Sequence, residues 1–443
     1  MIKVIGNCWA LFLGLMLIML GNGLQGSLLG LRAEIEGFSI STIGFVMSGY
    51  FVGLIAGSIG VPKIVSRVGH IRTFGALASL ASTSILVHLA FPDPWVWWTM
   101  RVVTGLALAG IYIVAESWLN DMSDNETRGQ LLSVYMLILF GSMAGGQLML
   151  NLAGPDGFQL FVLISVLVSM AVIPILVSVS RAPVFDTIQS VSIVQLYRVS
   201  PLGVFGMFAS GIATGSIFGV GVLYASAVGL GVAEVSLFMT SVIVGGVGLQ
   251  YPIGWLSDRI GRRRAIILVC LAGTGAAGAA AVAGSAGWMI FAAGGLVGGL
   301  ALPLYSLCAA HTNDYLDPQQ MVAASGTLVL ANGTGSVLGA PLAAVAMDTL
   351  GAAAFYQIIA ASFALVCLFA IWRSTQREAL ASEDTGDFVP YAPSPISAAF
   401  NPDVDLEEIE AAAEADKEEV VASFEELVEE LAPDTNDEEP GAS

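Results

Sequence analysis

The chain has 443 residues, of which 56% are hydrophobic and only 12% are charged. A soluble protein carries about 25% charged residues, so this composition excludes an ordinary soluble fold. Residues 1–373 hold 14 basic and 14 acidic side chains, and residues 374–443 hold 2 and 21, so the net charge of −19 belongs to the C-terminal tail. Such a tail repels nucleic acid and carries no information about a substrate.

Twelve apolar runs follow one another along the first 373 residues. Each is close to the roughly 20 residues that a helix needs to cross a bilayer. Lipid-facing backbone must form its hydrogen bonds internally, so we expect twelve transmembrane helices. The first run is long for a signal-peptide core and lacks an A-x-A cleavage site, which favours a retained helix. The runs cover 8–30, 41–62, 73–91, 96–118, 129–153, 157–180, 201–226, 233–256, 265–283, 287–310, 322–347 and 352–373.

Lysine and arginine residues divide the connections between these helices into two sets. One set, with the two termini, holds 14 of the 16 cations, and the other holds only Arg32. Arg101, the remaining cation, lies inside a run. Cytoplasmic connections are enriched in Lys and Arg. We therefore expect an all-α, multi-pass protein of the bacterial inner membrane with both termini in the cytoplasm.

The first six helices contain few polar side chains, and the most costly of them is Arg101 in the fourth. A guanidinium inside a membrane costs at least about 2.5–3.5 kcal/mol, so Arg101 should face the protein interior and handle substrate or protons. Its position near the predicted periplasmic end also permits the alternative that it only snorkels to water. Further candidates for a cavity are Asn22 and Gln25 in the first helix and Gln147 in the fifth.

Glu116 is the one clear carboxylate within a predicted span. It lies on the same helix as Arg101, about 22 Å further along, with Tyr112 one turn before it. Tyr112 is a candidate cavity residue. Burial penalises the charged form of a carboxylate, which makes Glu116 the candidate for proton coupling. The alternative is an interfacial residue that pairs with Arg128 or caps the next loop. His88, near an outer helix end, is expected at the membrane interface.

The segment 181–200 precedes a second block of six helices. We expect it to be a cytoplasmic linker between an N-terminal bundle, 1–180, and a C-terminal bundle, 201–373. For any single polar residue in these helices, helix–helix hydrogen bonding is an alternative to a cavity role. The candidate cavity residues of the second block are Ser210 and Thr214 in the seventh helix and Tyr305 in the tenth.

The two blocks are related by an internal repeat with an offset of 192–194 residues. The offset aligns Gly105 with Gly298 and Tyr112 with Tyr305. It spans six helices, so both halves have the same orientation, as in transporters that hold substrate between parallel repeats. Glycines four residues apart let helix backbones approach closely. The predicted glycine faces are Gly141 with Gly145, their repeat partners Gly335 with Gly339, and Gly211 with Gly215 and Gly219.

The connection after the eighth helix carries a specific motif, Gly254-x-x-x-Asp258-Arg259-x-Gly261-Arg262-Arg263-Arg264. It resembles the cytoplasmic signature of the major facilitator superfamily, and Arg101-x-x-x-Gly105 is similar to that family's fourth-helix motif. In the first-half copy, Pro62 replaces the leading glycine and Ser66 replaces the aspartate. The resemblance covers residues 1 to about 375. It implies two six-helix bundles around a cavity that the first, fourth, seventh and tenth helices line.

The resemblance also implies a conformational gate at this signature. In the family, an acid at the position of Asp258 pairs with basic residues and a neighbouring helix end, helps to hold the outward-facing state, and releases when the protein opens inward. The alternative is that these cations only set the topology. The implied gating residues are Asp258, Arg259, Gly261, Arg262 and Arg264, with Arg67, Gly69 and Arg72 in the first-half copy.

Some residues point to one branch of the superfamily. The runs Glu116-Ser117-Trp118-Leu119-Asn120, Arg128-Gly129 and Gln147-Leu148 resemble the uncharacterised YcaD-like bacterial branch. The fifth helix lacks the Gly-Pro pair that is expected of drug–proton antiporters, which disfavours drug efflux.

The acidic tail, 374–443, is expected to be a largely disordered cytoplasmic segment, beginning with a proline-rich part around Pro390. Further on, apolar residues at 4-3-4 spacing among acids predict one amphipathic helix within 405–431. That helix is either solvated or a docking site for a partner protein. The apolar positions are Val420, Phe424, Leu427 and Leu431.

No motif indicates an enzyme. The chain has no Walker loop, no H-E-x-x-H and no G-x-S-x-G, and its four cysteines lie in apolar runs without a C-x-x-C. We therefore expect no cofactor and no metal. The predicted function is secondary active transport of a small solute by alternating access, coupled to protons. The alternative is a non-transporting sensor or scaffold that recruits a partner through its tail, and tail deletion would separate the two because a transporter would keep its flux.

Overall fold

The computed structural model describes residues 6, 8–123, 128–177, 191–283, 287–376, 386 and 388–390. Within these residues, twelve helices are long and apolar enough to cross a membrane, which confirms the predicted number. They are α1 (Trp9–Ile35), α2 (Ile40–Val68), α3 (His70–Ala90), α4 (Pro94–Asp121), α5 (Arg128–Leu148), α6 (Gln159–Val177), α7 (Pro201–Ala227), α8 (Val232–Ile260), α9 (Arg262–Ala283), α10 (Met289–Asn313), α11 (Pro318–Leu350) and α12 (Ala354–Ser374).

Local sequence explains where α4 begins. The Asp93 side chain accepts hydrogen bonds from the backbone N–H groups of Trp95 and Val96, at 2.9 and 3.1 Å. Pro94 occupies the first helical position, where its missing N–H leaves no gap in the hydrogen bonding. The cap satisfies donors that a helix N-terminus otherwise leaves unpaired. It thereby fixes the register of the helix that carries Arg101 and Glu116.

The corners between α2 and α3 and between α8 and α9 have the same backbone geometry. Each first helix ends at a glycine with positive φ, 89° at Gly69 and 88° at Gly261, and the next helix begins at once. Glycine adopts this region without the strain that a Cβ causes. The structure therefore repeats at the offset that the sequence predicts.

Equivalent helix pairs in the two halves also pack through glycine. Gly105 of α4 lies so close to the Tyr50 carbonyl of α2 that a Cβ would collide with it. Gly298 of α10 has the same relation to the Val242 carbonyl of α8. Close backbone approach through small residues is a common way to join helices in a membrane. Here it holds α4 against α2, and α10 against α8.

A second pair of equivalent contacts corrects the predicted alignment by one residue. Gly146 of α5 faces the Leu20 carbonyl of α1, and Gly339 of α11 faces the Ile212 carbonyl of α7. The repeat therefore pairs Gly146, not Gly145, with Gly339. Because consecutive helical residues point about 100° apart, this difference moves the contact to another face of α5.

The predicted glycine faces have different outcomes. The face on α7 is confirmed, because a Cβ on Gly211 or Gly215 would collide with backbone of α11. The face on α11 is confirmed by the contacts of Gly335 and Gly339 with α7. The face on α5 is wrong: among the described residues, no other helix comes within 4 Å of the Cβ position of Gly141, and Gly145 meets only the Leu20 side chain, at 3.2 Å.

His88, in the last turn of α3, packs inside the protein. It is fully buried in α3, with its Nδ1 2.7 Å from the Ser84 carbonyl oxygen. Its ring meets that of Trp97 edge-on, with 5.5 Å between centroids. The indole of Trp97 donates to the His88 carbonyl and covers this end of α3.

The two halves meet along α2 and α11, α5 and α8, and α1 and α7. We call the end of the bundle with the glycine corners Gly69 and Gly261 the basic end, because the signature cations lie there, and the other the opposite end. A linker helix, Ile193–Val199, follows a capping box formed by Ser192 and Gln195 and precedes α7.

The predictions for the tail concern some residues that the structure does not describe and some that it does. The predicted amphipathic helix within 405–431 lies outside the described residues. Phe388–Pro390, within the tail, are described and pack at the basic end.

Candidate substrate cavity

A cavity of about 780 Å³ lies between the two halves. Cavities of roughly 300–1,000 Å³ are the usual size for small-molecule sites. Lining residues come from α1, α2, α4 and α5 in the first half and from α7, α8, α10 and α11 in the second. The predicted residues that line it are Asn22, Arg101, Tyr112, Gln147, Thr214 and Tyr305.

The cavity reaches the basic end. Gly129 and Ser133, in the first turns of α5, line it there, and so does Tyr251 of α8, which is 79% exposed. Phe388 and Val389 of the tail also line this part. The cavity is therefore accessible from the basic end.

Contacts between the halves close the opposite end. The Ser41 backbone N–H donates to the Asp348 carboxylate at 2.9 Å, and the Ser226 hydroxyl donates to Glu34 at 2.8 Å. A third polar contact joins the Asn151 amide to the Ser236 hydroxyl at 2.8 Å. Each contact joins one half to the other.

Arg101 is turned into the protein and lines the cavity. Its side chain is only 5% exposed, so it does not snorkel to water. The guanidinium carbon lies 4.6 Å from the centroid of the Tyr50 ring, a cation–π contact. Neither Nε nor Nη1 has a hydrogen-bond partner among the residues that the structure describes. Arg101 therefore presents unused donors at the cavity wall.

Tyr50 connects Arg101 to other polar groups. Its hydroxyl interacts with the side chains of Asn22 and Tyr112. Glu116 follows Tyr112 by one turn of α4. A line of polar side chains thus runs from the cavity wall toward the basic end.

Glu116 lies behind the cavity wall rather than on it. It is fully buried and accepts a hydrogen bond from the Tyr135 hydroxyl of α5 at 2.8 Å. Tyr112 lines the cavity and Glu116 does not. Glu116 therefore lies off the cavity wall, one helical turn from Tyr112 and hydrogen-bonded to Tyr135.

Two residues that were predicted to line the cavity do not line it. Gln25 and Ser210 are buried at helix contacts, 3% and 0% exposed, and neither lines the wall. Asn22, three residues from Gln25, does line it. Thr214 also lines it, although its hydroxyl is engaged with the Ser210 carbonyl at 3.0 Å.

Sequence reasoning missed Gln250 and Asn332, two polar residues of the wall. Gln250 of α8 donates to the Ser306 hydroxyl of α10 at 2.9 Å, and Asn332 of α11 donates to the Met207 carbonyl at 3.2 Å. All three polar side chains line the cavity. The sequence signal for them is a lone amide within an apolar run, which Gln250 and Asn332 share. Tyr50 also lines the wall and was missed.

The second-half signature forms an ion-pair cluster that joins three helices. Arg262, 4% exposed, contacts Asp258 and donates to the Ser257 hydroxyl at 2.9 Å. Its Nε lies 3.6 Å from a carboxylate oxygen of Asp314, at the end of α10. Arg262 thus ties α8, α9 and α10 together at the basic end.

The other expected gating side chains are less engaged. Arg259 stacks on Trp255, with 3.8 Å from its guanidinium carbon to the ring centroid. Arg264, Arg67 and Arg72 are exposed. In the part of the chain that the structure describes, none of these four arginines forms an ion pair.

Comparisons with known proteins agree with this architecture. The family model described as Major Facilitator Superfamily matches residues 11–192 and 203–404. An uncharacterized MFS-type transporter of Enterobacter sp. (strain 638), Ent638_1421, is 29% identical over 373 residues, covering 82% of this chain and 94% of the relative. The uncharacterized MFS-type transporter YcaD of Escherichia coli is 27% identical over 358 residues, covering 78% and 90%.

The fold has counterparts among solved structures. The nucleoside transporter NupG superposes with a TM-score of 0.66 at 14% identity, and the alignment covers 83% of this chain and 100% of NupG. The predicted resemblance is confirmed. This chain belongs to the Major Facilitator Superfamily of membrane transporters and is a multi-pass protein of the bacterial inner membrane.

Proposed function

We propose that this protein is a secondary active transporter that carries an amphipathic organic anion across the inner membrane by alternating access, coupled to protons. The basic end faces the cytoplasm in this proposal, because cytoplasmic connections are enriched in Lys and Arg. The moving units are the bundles 1–180 and 201–373, joined by the linker 181–200. The tail 374–443 is then cytoplasmic.

Arg101 is the observation that carries the proposal. It is the one charged side chain among the described residues that line the cavity, so the wall offers no carboxylate to neutralise it. A buried cation without a partner costs free energy. A carboxylate on a bound solute would supply the opposite charge and could accept two parallel hydrogen bonds from the guanidinium. The cavity therefore favours a solute with a single negative group.

The rest of the wall favours an apolar body on that solute. Its aromatic and methionine side chains surround a few amide and hydroxyl groups, a pattern typical of small-molecule pockets. An aromatic or aliphatic monocarboxylate fits both the charge and the wall. The large apolar lining residues include Met19, Phe51, Phe140, Phe218, Met239 and Val329.

Alternating access requires the opposite end to open. The contacts of Asp348 with Ser41 and of Glu34 with Ser226 would break as the halves rock apart there. Each is an exposed polar contact, and such contacts contribute little net stability because water replaces the lost partner. The closed end is therefore held by groups that can separate at small cost.

Proton coupling is assigned to Glu116. A carboxylate in a buried site holds a proton more readily than one in water. Tyr112 lines the cavity one helical turn from Glu116, so a change in protonation can alter the tyrosine that faces the solute. Coupling thus needs no direct contact between the carboxylate and the solute.

The function is tested with matched pairs of carboxylates and amides, such as benzoate and benzamide and their larger aromatic homologues. Binding to the purified protein is measured as a rise in melting temperature, because a ligand that binds only the native state stabilises it. Uptake of the best carboxylate is then measured in proteoliposomes with and without a pH gradient. We expect carboxylates to bind and be accumulated and amides to fail. Equal binding of both classes would contradict the assignment of an anion.

Replacing Glu116 with glutamine is expected to uncouple transport. Glutamine resembles the protonated acid but cannot release a proton, so the variant should exchange solute across the membrane yet lose accumulation driven by a pH gradient. Both are measured in proteoliposomes. Asp121→Asn is the matched control, because Asp121 is an exposed acid at the end of the same helix. Accumulation at the unsubstituted level in the Glu116 variant would remove this residue from coupling.

A further inference from the structure

We infer that the tail segment Gly386 to Pro390, which we call the strap, docks onto the gating signature at the basic end and restrains the transporter in the state with that end open. The docking surface is formed by the end of α8, the first residue of α9 and the mouth of the cavity. The occupant is a segment of the same chain. Within the strap the structure describes residue 386 and residues 388–390.

Two hydrogen bonds tie the strap backbone to the gating ion pair. The Phe388 N–H donates to Oδ1 of Asp258 at 3.1 Å. Arg262 donates through Nη2 to the Gly386 carbonyl. The strap therefore contacts both members of the Asp258–Arg262 pair, the residues that the family resemblance assigns to the gate.

The Phe388 ring fills a place that a glycine leaves open. A Cβ on Gly254 would collide with this ring, and the three atoms nearest to that Cβ position all belong to Phe388. The ring centroid is 5.8 Å from the guanidinium carbon of Arg262. Because the leading glycine of the signature has no side chain, it leaves the space in which the strap packs.

The rest of the strap projects into the mouth of the cavity. Val389 is only 8% exposed, and Phe388, Val389 and Pro390 all line the cavity. The same mouth is lined across from them by Gly129 and Ser133 of α5. Closure of the basic end would bring α5 toward α8 and leave no room for these side chains. The strap must leave before the halves can close there.

The length of the connection favours an intramolecular partner. Eleven residues lie between the end of α12, Ser374, and Gly386. A segment attached through so few residues has an effective concentration in the millimolar range. Weak contacts are then enough to keep the strap docked for much of the time, and a docked strap slows every cycle that passes through the closed basic end.

Two single substitutions release the strap from opposite sides. Phe388→Ala removes the ring from the tail, and Gly254→Ala fills the space in which it packs on α8. The measurement does not depend on transport. The native cysteines are substituted, and spin labels are attached at Trp95→Cys and Trp288→Cys. The distance between the two labels is measured by pulsed electron paramagnetic resonance. Both tryptophans are exposed, at 69% and 76%, and begin helices of different halves at the opposite end.

We expect each substitution to raise the population with a long distance, in which the opposite end is open, by roughly three- to tenfold. The double variant should show no further rise, because both changes remove one contact. Trp372→Ala is the control, as an exposed aromatic residue at the basic end outside the strap. An unchanged distribution in Phe388→Ala, or additive effects in the double variant, would overturn the inference even if the protein transports carboxylates as proposed.

Discussion

Replacing Arg101 with glutamine is expected to abolish binding of the anionic solute while leaving the ligand-free protein at least as stable. The two effects have opposite physical causes. Removing the guanidinium removes charge-assisted hydrogen bonds to the solute, worth roughly 1.5–3 kcal/mol, which corresponds to a loss of affinity of about 10- to 100-fold. It also removes a buried cation whose Nε and Nη1 lack partners among the described residues, which relieves a desolvation cost in the empty protein.

Thermal unfolding with and without the best carboxylate of the panel separates these effects. The unliganded melting temperature of Arg101→Gln should equal or exceed that of the unsubstituted protein, and the shift caused by the carboxylate should vanish. The amide of the same probe serves as a neutral reference. Arg101→Lys should give an intermediate result, because lysine keeps the charge but lacks the planar pair of donors. A variant that melts much earlier, or one that binds the carboxylate as tightly as before, would contradict the assignment.

Of the residues in and near the cavity, the charged ones can be identified from the sequence. Arg101 and Glu116 stand out because each interrupts an apolar run, and a charge in such a run must be buried or functional. The structure places both inside the protein, at 5% and 0% exposure. It also separates them, since Arg101 lines the cavity and Glu116 does not.

Uncharged polar residues could not be sorted in the same way. Asn22 and Gln25 lie three positions apart on α1, which is about 60° around the helix, yet only Asn22 reaches the cavity. A helix that is apolar on all sides gives no amphipathic stripe from which to choose a face. Gln250 and Asn332 were missed for the same reason. Packing between helices, which the sequence does not display, decides which face meets the cavity.

Composition gave no sign of the packed residues in the tail. Prolines and acids around Pro390 indicate disorder, but Phe388 and Val389 provide a local apolar pair within that stretch. The space for them is created by Gly254 and Arg262, more than 120 residues earlier in the chain. Contacts at such a separation in sequence cannot be inferred from the local pattern of either segment.

Alanine at Gly146 is expected to destabilise the protein strongly, whereas alanine at Gly141 of the same helix is not. A Cβ on Gly146 would collide with the Leu20 carbonyl and crowd the Leu24 backbone nitrogen, so α1 and α5 would have to move apart. Overpacking of this kind typically costs about 1–3 kcal/mol, and it lowers the melting temperature by several degrees. Within the described part of the chain, no other helix comes within 4 Å of the Cβ position of Gly141, and alanine favours a helix by up to about 1 kcal/mol over glycine.

The repeat supplies an independent check on this argument. Gly339 of α11 meets the Ile212 carbonyl of α7 as Gly146 meets that of Leu20, so Gly339→Ala should lower the melting temperature as Gly146→Ala does. All three variants can be compared by thermal unfolding in one detergent. The sequence alone places Gly141 and Gly145 in the glycine face, whereas the structure places Gly146 there, one residue or about 100° away. If Gly141→Ala proved as damaging as Gly146→Ala, the α1–α5 contact would not have the register described above.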